Sequence, residues 1–278
     1  MNTHELKVFA AKIRLETTKM IGKRGFGHIS GSLSVADALA VLYGDVMNVR
    51  ASEPNWAGRD KLVLSKGHAG PALYSALALK GFFPMSELET LNQPGTNLPS
   101  HADKKLTTGV DMTTGSLGQG ASAAAGLALA QKMDELDSRT YLILGDGECN
   151  EGQVWEMALF AAQHKLNNLV AFVDYNKKQL DGTTSEVMEM GDIAAKFESF
   201  GWTAYSIDGG CVATIKESIE KVAASDKPVC IVLNTTKGAG VPTIAGVEYN
   251  HHMVVEGDVY ANALAECEAK LKKLEGQA

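Results

Sequence analysis

Tyr141-Leu-Ile-Leu-Gly-Asp-Gly-Glu-Cys-Asn-Glu-Gly152, followed by Leu169-Val-Ala-Phe-Val-Asp-Tyr-Asn-Lys-Lys-Gln-Leu-Asp-Gly182, decides the fold of this chain. Each segment opens with an apolar run, Tyr141 to Leu144 and Leu169 to Val173, and each run stops at a polar turn. Between them, about Glu151 to His164 has the composition of a helix. Strand, turn, helix, strand is a parallel crossover. It places Asp146 and Asn176 at the carboxyl ends of adjacent strands, the edge where open α/β sheets bind ligands. A carboxylate and an amide oxygen converging there suit a small hard cation that keeps room for phosphate oxygens. On Gly145-Asp-Gly147 alone, an ordinary strand-end turn is the simpler reading.

Outward from this unit, residues 3–22 read as a helix with Leu6, Phe9, Ile13 and Met20 near one face. Gly25 to Gly31 reads as a glycine-rich turn. Ser34 with Asp37 has the spacing of a capping box opening a helix to about Met47. Leu62 to Ser65 reads as a short strand, followed by a turn and a helix ending before Gly81. Ser86 and Glu89 suggest a further short helix. Residues 92–111 read as a long surface loop, and loops of that length are more often functional than idle. Gly118 to Met133 is a helix of small residues, able to lie close to a neighbouring backbone. Helices over Asp192–Phe200, Val212–Ala224 and Glu256–Leu274 and strands over Trp202–Ile207 and Val229–Asn234 complete the order. The expected fold class is α/β, a parallel sheet of about five or six strands with helices on both faces, in one domain spanning 1–278.

Composition agrees with this class. The chain has 278 residues, 45% of them hydrophobic, enough to bury a sizeable core. Its net charge of −7 is scattered, with no basic block to suggest nucleic acid. No apolar run approaches the roughly 20 residues of a membrane span, and the start lacks the core of a signal peptide. Cys149, Cys211, Cys230 and Cys267 form no C-x-x-C pair and read as reduced thiols, which gives a cytoplasmic expectation.

Four histidines stand in turns or loops: His28, His68 in Ser65-Lys-Gly-His-Ala-Gly70, His101 in Pro99-Ser-His-Ala102, and His251 beside His252. A loop histidine is ordinarily a solvated polar residue. Together with Gly145 to Asn176, however, these segments and Thr113-Thr-Gly-Ser-Leu-Gly-Gln-Gly120 resemble the transketolase family, and the Gly-Asp-Gly to Asn run resembles the thiamin diphosphate fingerprint. The resemblance covers nearly the whole chain, but only about the first third of a usual transketolase. The chain is similar to the N-terminal subunit of a split transketolase.

That resemblance implies the fold of a diphosphate-binding domain. It also implies Mg²⁺ (or Ca²⁺) held by Asp146, Asn176 and the Lys178 carbonyl, with Gly147 close to the phosphate. His68 would contact the diphosphate. His101 would stand over the thiazolium, and His28 and His251 would face sugar hydroxyls or transferred protons, work that suits imidazole near neutral pH. Gly115, Leu117 and Leu180 would line the cofactor, and Glu151 would lie at a subunit interface or simply favour a helix N-terminus. The implied reaction moves a two-carbon ketol unit from a ketose or ketose phosphate to an aldehyde or ketone.

The glutamate that activates the cofactor lies on a pyrimidine-binding domain in this family, and that domain is absent from these 278 residues. The expectation is therefore a C-terminal partner subunit of about 300 residues and an α2β2 heterotetramer. Three departures stand out: His28-Ile-Ser-Gly31 where the family has G-H-P-G, Ser116 in place of Pro, and Asn250 where a Trp commonly precedes the late histidine. They leave open whether His251 or His252 serves the site, and whether the sugar is a branched or sulfonated one. Rival readings are an enzyme of the deoxyxylulose-phosphate synthase type, a non-catalytic scaffold retaining the fold, and a nucleotide-binding module. Against the last, there is neither G-x-G-x-x-G nor a P-loop.

Overall fold

The structure, a computed structural model, describes residues 1–277; of the domain expected over 1–278, Ala278 lies outside the described residues. In chain order the elements are α1 (Thr3–Arg24), β1 (Phe26–Gly27), α2 (Ile29–Leu33), α3 (Ala36–Val41), β2 (Lys61–Leu64), α4 (Gly70–Leu79), α5 (Gln119–Met133), β3 (Thr140–Gly145), α6 (Gly152–Gln163), β4 (Leu169–Tyr175), α7 (Thr184–Val187), α8 (Ile193–Ser199), β5 (Thr203–Asp208), α9 (Val212–Lys221), β6 (Val229–Asn234), α10 (Pro242–Ala245), β7 (Met253–Val254) and α11 (Gly257–Glu275). Five strands form one parallel sheet in the order β2-β3-β4-β6-β5.

Both faces of the sheet are covered, which is why the inner strands β3, β4 and β6 are almost wholly buried, whereas the edge strand β5 alternates between more and less buried residues. Tyr141, Ile143, Val170, Phe172 and Ile231 point into one core, closed by α1, α3, α4, α9 and α11. Leu142, Leu144, Ala171, Val173 and Val232 point into the other, closed by α5, α6 and α8. The stretch Ile29–Val46 is, among the described residues, the one helical run apolar enough to cross a membrane, and 83% of it is buried inside the fold.

Two expectations are corrected. Gly25 to Gly31 is not merely a turn: Phe26 and Gly27 pair antiparallel with Val254 and Met253, and Ile29–Leu33 is helical. This ribbon brings His28 beside the residues just before β7. The capping box at Ser34 does not form. Helix α3 starts after Val35 with no side-chain cap, Ser34 Oγ donates to Asp174 Oδ2 at 2.7 Å, and Asp37 pairs with Arg14. Burial supplied both side chains with distant partners that outcompete a local cap. The long loop is confirmed, with no helix or strand between Thr90 and Gln119 among the described residues.

The small residues of α5 do bring backbones together. A Cβ on Gly120 would lie 2.8 Å from the Ser65 Cα, at the end of β2. On the same helix a Cβ on Gly126 would meet nothing within 4 Å. Gly120→Ala is therefore expected to cost about 1–3 kcal/mol by overpacking. Gly126→Ala should stabilise by up to about 1 kcal/mol through helix propensity. Urea midpoints of the two variants check both signs.

Candidate active site

The carboxyl ends of β2, β3, β4 and β6 meet at one cleft of about 390 Å³. At its floor is an ion pair. Asp174, wholly buried near the end of β4, accepts from Lys66 Nζ at 2.5 Å, Ser34 Oγ at 2.7 Å, Asn176 Nδ2 at 2.9 Å and Thr235 Oγ1. Burial alone would raise the Asp174 carboxyl; Lys66 and the hydroxyl donors override it and hold the group below its usual range. The same contact orients Asn176. With Nδ2 committed to Asp174, the Asn176 Oδ1 is the atom left to accept, and it takes the Lys178 N–H at 3.2 Å.

Asp146 stands next to this pair on the neighbouring strand. Its Oδ1 accepts from Gly147 N at 2.8 Å and its Oδ2 from Lys177 N at 2.6 Å. Burial and then Asp174 push its pKa up to about 6. The Lys178 carbonyl accepts from Lys237 Nζ at 2.9 Å. One carboxylate, one oriented amide oxygen and one main-chain carbonyl are an all-oxygen donor set suited to Mg²⁺ or Ca²⁺. Among the described residues no three His, Cys, Asp or Glu side chains gather to hold a metal instead. The Gly147 N–H is committed to Asp146, so this glycine lines the cleft without a free amide.

The histidines converge above this set. His28 lies with ring centroids 5.3 Å from His68, 5.5 Å from His101 and 5.3 Å from His251. Three local features bring them there. The β1–β7 ribbon joins the His28 and His251 segments. Thr114 Oγ1 donates to Leu64 O at 2.6 Å and Thr114 N to Ala102 O at 3.1 Å, which laces the His101 and Gly115 segments to the end of β2. Gly115 has φ 146°, and a Cβ there would press 3.1 Å from His101 Cδ2.

Burial, with neighbouring cations, lowers the histidine pKa values, His28 to about 4 and His251 to about 3, with His68 well below its usual range. Burial also lowers His101. The rings are therefore neutral at physiological pH and serve as hydrogen-bond donors and acceptors rather than as cations. Positive charge comes from Lys66 and Lys237, both lining the cleft; burial and then Lys66 bring Lys237 down to about 8.

Every expected site residue lines this one cleft: His28, His68, His101, Gly115, Leu117, Asp146, Gly147, Asn176, Lys178, Leu180 and His251, with Glu151 beside them. Leu180 is 62% exposed, on the lip rather than in a core. His251 lines the cleft. His252 does not; it stands edge-on to His28 at 4.7 Å. Four residues escaped the sequence reading: Lys66, Asp174, Lys237 and Glu148. Glu148, 2% exposed, accepts from Ser65 Oγ, Gly118 N at 2.8 Å and Gly145 N at 3.0 Å, clasping three cleft-forming segments. A charged residue closing an apolar strand, as Lys66 and Asp174 do, was the available signal.

A sheet-edge cleft with an oxygen donor set and buried ammonium groups defines an α/β protein built to bind an anionic ligand together with a divalent cation. The sequence matches the family described as transketolase, thiamine diphosphate binding domain, over residues 6–266. The chain belongs to the transketolase family. It is 50% identical over 265 residues to a 6-deoxy-6-sulfo-D-fructose transketolase subunit of Clostridium sp. (strain MSTE9), covering 95% of this chain and 96% of that one. It is 36% identical to an apulose-4-phosphate transketolase subunit of Phocaeicola vulgatus, over 99% of this chain and 98% of that one. The solved transketolase from Campylobacter jejuni superposes with a TM-score of 0.90 at 29% identity, covering 99% of this chain but 46% of that chain. The chain thus spans less than half of the solved transketolases it matches.

Two outcomes follow from the site. Asp174→Ala strands the Lys66 ammonium in the interior and is expected to cost about 3–5 kcal/mol in chemical denaturation. A proton and a divalent cation compete for Asp146, so the rise in melting temperature on adding Mg²⁺ should be larger at about pH 7.5 than at about pH 5. The rise should vanish in Asp146→Ala.

Proposed function

We propose that this chain, acting as one cofactor-binding domain, is the diphosphate-side subunit of a split transketolase. Asp146, Asn176 and the Lys178 carbonyl hold the divalent cation. Lys66, His68 and Lys237 face the cofactor diphosphate, whose negative charge answers their position in a cleft of a chain that is otherwise acidic. Gly115, Leu117 and Leu180 line the remainder of the cofactor. When bound, thiamin diphosphate supplies the electron sink for cleavage of the ketose C2–C3 bond.

The protein's part is orientation and proton handling. Neutral His28, His101 and His251, gathered around one point, can grip the hydroxyl and carbonyl oxygens of a sugar and exchange protons with them. The single observation that carries this reading is the meeting of the oxygen cation set with four histidines from four separate segments in one cleft.

The site is open on one side. Leu117 is 38% exposed and Leu180 62% exposed on its lip, as a surface that a second subunit covers would be. Two similar proteins of this length carry the word subunit in their names, and the full-length transketolase 1 of Escherichia coli is matched over 39% of its length. These support a C-terminal partner bearing the pyrimidine-binding domain; an α2β2 assembly in the cytoplasm belongs to the same proposal. The 50% identity to a sulfofructose-acting subunit favours a sulfonated ketose as donor, with a ketose phosphate second.

Calorimetric titration of thiamin diphosphate with Mg²⁺ into the chain, alone and mixed with its partner, tests this. Tight binding and ketol transfer in the mixture, lost in Asp146→Ala, are expected. Transfer from 6-deoxy-6-sulfofructose should exceed transfer from fructose 6-phosphate. Full activity of the chain alone would overturn the split site, and absence of cofactor binding in both samples would overturn the catalytic reading.

A further inference from the structure

Lys237 is 3% exposed and lies in the loop after β6. Its Nζ lies against three groups: the Lys178 carbonyl at 2.9 Å, the Gln179 carbonyl at 3.5 Å and His251 Nδ1 at 2.8 Å. An ammonium has three protons and no lone pair. Two of its neighbours are carbonyl oxygens, which can only accept. The third, His251 Nδ1, must then present its lone pair as well. In a neutral imidazole with an unprotonated Nδ1 the single proton resides on Nε2.

We propose that Lys237 is a positioning residue that locks His251 in the Nε2–H tautomer, so that His251 offers the cleft an N–H donor and not a lone pair. No other hydrogen bond to the His251 ring exists among the described residues, so Lys237 alone decides which nitrogen carries the proton. The backbone on either side is held independently. Asn250, 1% exposed, donates from Nδ2 to Ile244 O at 3.0 Å, and its carbonyl accepts from Ser30 Oγ. His252, on the other side, stacks edge-on against His28 at 4.7 Å. The loop therefore fixes where His251 stands, and Lys237 fixes which face of its chemistry is turned inward.

The consequence for the reaction rests on the function proposed above. A donor at His251 suits a carbonyl or alkoxide-like oxygen of the sugar, whose developing negative charge an N–H stabilises. It does not suit the first removal of a proton from a hydroxyl, which needs a lone pair. That task falls to another ring of the cluster.

Long-range ¹H–¹⁵N correlation spectra of the ¹⁵N-histidine-labelled chain read the tautomer directly, with His251 assigned by His251→Gln. Spectra would be taken of the free chain and of its complex with partner, thiamin diphosphate and Mg²⁺. The expected result is an unprotonated Nδ1 and a protonated Nε2 at His251 in both states. In Lys237→Met the two tautomers should mix, and Lys237→Arg, which restores a donor, should return the Nε2–H form. Ketol transfer by the complex should fall roughly tenfold in kcat for Lys237→Met, the order of a lost oxyanion-type donor at its lower end, and recover in part for Lys237→Arg. An Nδ1–H tautomer in the unaltered chain, or an unchanged spectrum in Lys237→Met, would overturn the proposal. Because the spectrum is independent of turnover, an inactive complex that shows the Nε2–H form would count against the proposed function and still support this inference.

Discussion

The buried pair of Lys66 and Asp174 is the constraint on which the site depends. Neither side chain exposes more than 1% of its surface, so both have given up hydration worth several kcal/mol each. A buried carboxylate in that position needs further donors, and Asp174 finds them in Ser34, Asn176 and Thr235. These partners come from separate parts of the chain. The pair therefore does more than neutralise two charges. It fixes the ends of β2 and β4 against each other, commits the hydroxyl of Ser34, and turns the Asn176 amide so that its oxygen is the free end. An apolar pair of the same volume would hold the strands as well, but it would leave that amide free to flip.

The cleft gathers buried charges of both signs. The sequence carries a net charge of −7, yet the walls bear two buried ammonium groups and a cluster of neutral rings. Water is largely excluded from the floor, so each charge acts over a longer range than it would at the surface. Lys66 and Lys237 keep the surrounding imidazoles from taking up protons, and burial acts in the same direction. The outcome is a floor of paired charges under a neutral, hydrogen-bonding rim. Asp146 is the counterweight: burial and Asp174 raise its affinity for a proton, and a divalent cation relieves the same repulsion.

Much of the architecture was legible from the chain. The five strands of the parallel sheet fell within one or two residues of the expected runs, and β6 matched its run in full, because a strand buried on both faces leaves an unbroken apolar signature; the short β1 and β7 carried no such signature. The polar residues just past those runs, Asp146 and Asn176, had to lie at one edge once the strands were parallel. The local rules failed where distant groups offered better partners. Ser34 and Asp37 had the spacing of a cap, but each found a buried charge or carboxylate across the fold. Lys237 reads as a turn residue, and nothing near it in sequence marks it as buried.

By itself, then, the sequence determined the parallel α/β sheet, its sheet-edge polar turns and the family to which the chain belongs, since periodicity and motif spacing are properties of neighbouring residues. Only the tertiary structure decided which histidine of the adjacent pair enters the cleft, which atom of Asn176 is free, and what holds His251 in place. Those answers depend on contacts between residues 108 apart, as for Lys66 and Asp174, or on a ribbon joining opposite ends of the chain. Burial gives such contacts their strength by removing the water that would otherwise satisfy each group alone, and burial belongs to the folded whole.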